Sequence, residues 1–111
     1  MIIKKEVRIR LENSKSCVAY EYPSDDKDMN TAFMDINGRY PDDGLVTNKV
    51  AREMIFVTEG EGRILIDGEE QRLGEGDVVL IQPNQRYFFE GRLKFVSTCA
   101  PAWYPEQHER C

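Results

Sequence analysis

Apolar residues in this chain come in short runs, often alternating with polar ones at a spacing of two, and Gly, Asp, Asn or Pro interrupts them every few positions. That is the pattern of an antiparallel all-β domain, in which one face of each strand is buried. Val7, Ile9 and Leu11 carry the spacing in a first strand over 2–11, and a second covers 16–22. A polar connector, PSDDKDM, leads to a strand over 30–36 that ends at Asn37-Gly38, a dipeptide suited to positive φ. After the turn YPDDG at 40–44, short strands are predicted over 45–50, 52–58, 63–67, 70–73, 77–81, 86–90 and 93–98. The tracts between them, Glu59-Gly-Glu-Gly62, Asp67-Gly68, Gly74-Glu-Gly76, Pro83-Asn84 and Gly91, read as linkers. Closely spaced short strands point to a sandwich or barrel, because sheets of that kind protect their edges by closing or stacking. No amphipathic helix and no repeat is visible, and the segment APAWYPEQHERC at 100–111 reads as an ordered arm or a single turn, given its two prolines.

The length of 111 residues fits one domain with one core. A net charge of −5 repels polyanions, so a nucleic-acid partner is not expected. Three cysteines, Cys17, Cys99 and Cys111, have no metal-ligand spacing and fit a reducing compartment better than a disulfide framework. Apolar runs such as 54–57 and 78–81 fall far short of the roughly 20 residues that span a bilayer. Residues 1–10 alternate charged and aliphatic groups, unlike the core of a signal peptide. A cytoplasmic protein without a membrane partner is the expectation.

The stretch EMIFVTEGEGRILIDGEEQRLGEGDVVLIQPNQRYFFEG, 53–91, resembles the cupin superfamily. Glu53 and Gly60 match the Glu, six residues, Gly that ends that family's first motif, Gly76 opens the second, and fifteen residues separate the two. The resemblance implies a double-stranded β-helix, or jelly-roll, barrel in a single domain over 1–111, with N-terminal strands over 1–22, a barrel core at about 30–98 and a C-terminal arm over 99–111. It also implies a homodimer, with the N-terminal strands or the C-terminal arm exchanging contacts.

Departures from the motif are equally informative. Tyr87 stands where the second motif has a metal-binding His, Gln82 where it has Pro, Asn84 where it has Gly and Gly91 where it has Asn. The first motif's His pair falls on Val46 and Asn48, or on Thr47 and Lys49, and the chain's one histidine, His108, lies outside both. Of the four family ligands only Glu53 remains, and one carboxylate with an amide and a phenol is a poor set for zinc, iron or manganese. No metal and no other cofactor is expected.

By the resemblance, Asn48, Glu53 and Tyr87 converge on the barrel interior. Strand alternation adds Ile55, Val57 and Phe89 to that face, which gives an apolar pocket with a few polar groups. The alternative is a closed core in which Glu53 and Tyr87 satisfy each other. A carboxylate in an apolar cavity has a raised pKa and becomes a candidate acid or base. Tyr87 is the weaker base, since ionising a phenol of pKa about 10 at neutrality costs on the order of 4 kcal/mol without a nearby cation. Arg39 or Arg52 would have to supply one. Trp103 and Tyr104 suit either a pocket cap, a subunit interface or the barrel's outer wall, and His108 is expected to be exposed or at an interface.

The expected function is a metal-independent cupin that binds a small polar metabolite, sugar-like or a carboxylate, through Asn48, Glu53, Ile55, Val57, Tyr87 and Phe89. One alternative is a cofactor-free sugar isomerase or epimerase with Glu53 and Tyr87 as catalytic groups. Another is a structural or regulatory dimer with a filled barrel.

Overall fold

The computed structural model describes all residues, 1–111. Nine strands build it: β1 Ile9–Ser14, β2 Cys17–Glu21, β3 Asn30–Tyr40, β4 Val46–Asn48, β5 Arg52–Ile66, β6 Glu69–Gly74, β7 Val78–Ile81, β8 Tyr87–Ala100 and β9 His108–Arg110. The only helical pieces are 3-10 turns at Lys5–Val7 and Pro105–Gln107. All pairings are antiparallel in one curled sheet, with β8 at its centre. On one side β8 pairs with β3 and, beyond its end, with Val46 of β4; on the other it pairs with β5 along nearly its whole length. β6 and β7 continue from β5, β1 and β2 continue from β3, and β9 borders β4. This is the all-β architecture expected from the strand pattern, and the jelly roll that the resemblance implies.

The strands are fewer and longer than the pattern suggested. The strands expected over 52–58 and 63–67 merge into one 15-residue strand that stops at Ile66, and those over 86–90 and 93–98 into one of 14 residues that starts at Tyr87. The glycines that read as linkers are bends within those strands. Gly38, Gly91 and Gly62 lie side by side across β3, β8 and β5. A Cβ on Gly91 would stand 2.6 Å from the Glu61 carbonyl oxygen and 2.6 Å from the Gly62 Cα, and its φ of +135° excludes other residues as well. This crease lets three long strands turn together around the core. A bulge between Val57 and Glu59 then shifts the inward parity of β5 from odd residues such as Ile55 to even ones such as Ile64.

The buried core joins Ile36, Ile55, Val57, Ile64, Leu93 and Phe95 with their neighbours on the inner face. Toward β4 and the C-terminal arm this packing opens, and polar side chains replace aliphatic ones.

Candidate active site in the barrel cavity

A cavity of 940 Å³ lies on the inner face of the sheet between β1–β3, the end of β8 and the C-terminal arm. Its floor is formed by Tyr40, Asn48, Glu53, Tyr87, Ser97 and His108. Each arrives from a different element. Asn48 ends β4, Glu53 opens β5, and the turn between them is held by Gln107 of the arm, whose Oε1 accepts from the Val50 amide at 3.1 Å and the Ala51 amide at 2.6 Å. Tyr87 and Ser97 are inward residues of β8 on either side of the crease, and Tyr40 ends β3. His108 is placed opposite Asn48 by the pairing of β9 with β4.

Glu53 is 8% exposed and no cation touches it. Ser97 Oγ donates to its Oε2 at 2.5 Å, while Asn48 Nδ2 at 3.2 Å and the Tyr87 hydroxyl at 3.4 Å donate to Oε1. Burial pushes the Glu53 carboxyl above the usual carboxylate range, and these three donors only partly oppose that. Tyr87 is driven well above the ordinary phenol value, first by burial and then by the negative charge of Glu53.

A second chain of hydrogen bonds leads from Asn48 to Tyr40. Trp103 Nε1 at 2.9 Å and His108 Nδ1 at 2.8 Å both meet Asn48 Oδ1, and His108 Nε2 lies 2.8 Å from the Tyr40 hydroxyl. An indole can only donate, so the atom it meets is the amide oxygen and Nδ2 faces Glu53. His108 must then carry its proton on Nδ1, which leaves Nε2 to accept from Tyr40. Burial, helped by the charge of Arg110, holds His108 below the usual imidazole value and so in this neutral form. Burial also pushes Tyr40 up to about 12 and the wall thiol Cys99 to about 12, so both keep their protons near neutrality.

Among the residues expected at the site, Asn48, Glu53, Tyr87 and Phe89 line the cavity together. Ile55 and Val57 are not among its walls. They share the inward face but are fully buried in the core cluster that also holds Phe89 and Phe95. Arg39 supplies no charge to Tyr87: its guanidinium donates to the Pro41 carbonyl at 2.8 Å and the Gly44 carbonyl at 3.0 Å, and lies over the Phe88 ring. Arg52 is exposed. His108, expected to be exposed or at an interface, instead joins the polar floor, and Trp103 lines the cavity. Tyr40 and Ser97 lie outside the set expected from the motif, although counting by two along β8 from Tyr87 through Phe89 and across Gly91 reaches Phe95, Ser97 and Cys99.

The donors do not fit a metal. No three of His, Cys, Asp or Glu converge anywhere in the chain, Asn48 Oδ1 already accepts two protons, and the phenols stay protonated. The arrangement can instead offer a buried carboxyl group, two phenols and a hydroxyl to the polar groups of a small ligand. It can also exchange a proton at Glu53.

No curated protein matches the chain in sequence. Solved structures do match in fold. Pac13 from Streptomyces, a nucleoside dehydratase, superposes with a TM-score of 0.90 at 19% identity over 100% of this chain and 90% of its own. Ectoine synthase from P. lautus gives 0.77 at 17% over 100% and 90%, and KdgF from Halomonas sp. gives 0.71 at 12% over 91% and 93%. The family model of the Cupin domain matches residues 41–97, which include β4, the Glu53 strand and most of β8. With that match and the jelly-roll sheet around Glu53, the chain belongs to the cupin family.

Proposed function

We propose that this cupin binds a small polar metabolite, sugar-like or a carboxylate, on the floor of the barrel cavity without the help of a metal. The observation that carries this reading is Glu53, a buried carboxyl held by Asn48, Tyr87 and Ser97 at the bottom of a 940 Å³ space. That volume is in the range of small-molecule sites, roughly 300–1,000 Å³, and counts against a barrel filled by its own side chains. A Streptomyces PAC13 variant solved with uridine shares the fold at 20% identity, which supports a ligand of nucleoside size. Tyr87 has one long hydrogen bond at 3.4 Å, so its hydroxyl has capacity left for a ligand. A thermal-shift screen of neutral sugars and nucleosides is expected to yield a hit whose affinity drops about tenfold in Tyr87→Phe. Unchanged affinity in that variant counts against the site.

A catalytic reading is the second proposal. A cofactor-free isomerase or epimerase needs two proton-handling groups that reach one carbon from different sides. Glu53 and Tyr87 lie in hydrogen-bond contact, so they act as one unit, and the Tyr40–His108 pair on the same floor is the second group. Full solvent-deuterium exchange into a substrate by Glu53→Gln would rule this out.

A homodimer and a cytoplasmic setting complete the proposal. The outer face of β5 and β7 pairs Met54 with Leu80 and Phe56 with Val78, an apolar surface that a second copy can cover. All three cysteines are free thiols, which supports a reducing compartment.

A further inference from the structure

The charges around the cavity are one-sided. Glu53 lies on its floor, and Glu21, Asp25 and Asp26 line its wall toward the connector between β2 and β3. Lys27 is the one lysine or arginine in the lining, against the four carboxyl groups of Glu21, Asp25, Asp26 and Glu53, and it is exposed, as are Asp25 and Asp26. The neutral His108 and the protonated Tyr40 and Tyr87 add no positive charge. Arg39 and Arg63, the guanidinium groups over the Phe88 ring, are not part of the lining.

Glu21 is informative because of its register. It ends β2 on the face that Cys17 and Ala19 bury, opposite Ile9 on one side and Ala32 on the other. Strand alternation therefore turns its carboxyl inward, among apolar neighbours. It has no ion pair and no side-chain hydrogen bond within the chain, and burial raises its pKa. An inward carboxylate with no cation beside it favours a ligand that brings a hydroxyl or an ammonium group, and repels one that brings negative charge. Specific anion binding uses Arg or Lys forks, oriented backbone amides or a helix N-terminus. No arginine lines this cavity, and the chain's helical pieces are three residues each.

We infer that the cavity selects a non-anionic hydroxylated ligand, uncharged or amine-bearing, and turns away phosphorylated and carboxylate forms of the same molecule. This rests on the proposed binding role of the cavity and narrows it: of sugar-like and carboxylate ligands, the site takes the first. Discrimination is placed at Glu21 and Asp25, carboxyl groups of the same lining that lie outside the hydrogen-bonded floor.

Saturation-transfer NMR with the full chain tests this on matched probes: uridine against uridine 5′-monophosphate, 5′-amino-5′-deoxyuridine, and ribose against ribose 5-phosphate. Uridine, ribose and the amine are expected to bind, and each phosphate to bind at least tenfold more weakly. In the double variant Glu21→Gln, Asp25→Asn that gap should shrink to threefold or less. Phosphates that bind as tightly as their neutral partners, or a gap that the double variant leaves intact, would overturn the inference while the binding role stands. Binding of no probe in either charge class would overturn the binding role and the inference with it.

Discussion

The Trp103 indole donates to Oδ1 of Asn48 at 2.9 Å, and this contact decides which end of the amide faces Glu53. A residue of the C-terminal arm thereby sets the hydrogen bonding of a carboxyl on β5. Trp103→Phe removes the donor but leaves His108 on the same oxygen, so it should cost about 1 kcal/mol. In a domain of this size that is roughly 4–8 °C in Tm. Asn48→Asp is the harsher change, because it deletes the Nδ2 donor and sets a second carboxylate against Glu53. A loss of about 3 kcal/mol at pH 8 is expected, much of it recovered at pH 5, where the pair can hold a proton. Denaturant melts at the two pH values check both.

Glu53 makes stability fall as pH rises. Its folded pKa lies above its unfolded value, so the native state holds the extra proton between the two. Its contribution is complete below the unfolded pKa and is lost as pH climbs through the folded one. The slope in that window is about −1.4 kcal/mol per pH unit. Glu53→Gln can keep all three contacts, since the amide oxygen accepts from Asn48 and Tyr87 and the amide nitrogen donates to Ser97. The variant should therefore match the wild type at low pH and exceed it at pH 8. His108 acts in the other direction. Its lowered pKa makes stability drop as pH falls below about 6.5, and this trend should appear in both proteins. Urea midpoints across pH 4–9 separate the two effects.

Gly91→Ala tests the crease. The added Cβ meets the β5 backbone at 2.6 Å and a φ of +135° strains it further, so a loss of at least about 3 kcal/mol, or failure to fold, is expected. Gly68→Ala is the control. Its φ is +82°, but no atom lies within 4 Å of the added Cβ, so it should cost only about 1 kcal/mol. Equal effects would mean that close packing at the crease contributes nothing.

The β class, the barrel and the central place of Glu53 were legible from alternation and motif spacing, because both are local properties of 53–91. Strand boundaries were not. Glycine interrupts an apolar pattern in the same way whether it ends a strand or bends one, and only the partner strands show that Gly62 and Gly91 face each other. The floor of the cavity was half legible. Asn48, Glu53 and Tyr87 follow from the motif, whereas His108 and Trp103 are 60 and 55 residues from Asn48 in the chain and reach it only through the arm and the β4–β9 pairing. Ile55 and Val57 show the opposite limit: parity gives a side chain's face and does not say whether a larger neighbour covers it.

The apolar outer face predicts self-association. Phe56 is 49% exposed beside Met54, Val78 and Leu80, so Phe56→Glu should shift a micromolar sample from dimer to monomer in sedimentation velocity without unfolding it. A wild-type chain that sediments at 12.9 kDa would remove the dimer.

A crystal of the wild-type protein soaked in uridine gives the most direct view of the cavity's role. The expected result is a ribose on the floor with a hydroxyl within about 3.2 Å of Glu53 or Tyr87, absent from a Glu53→Ala, Tyr87→Phe crystal soaked in the same way. Uridine seated outside the cavity, or equally well in the double variant, would contradict a binding site built on Glu53.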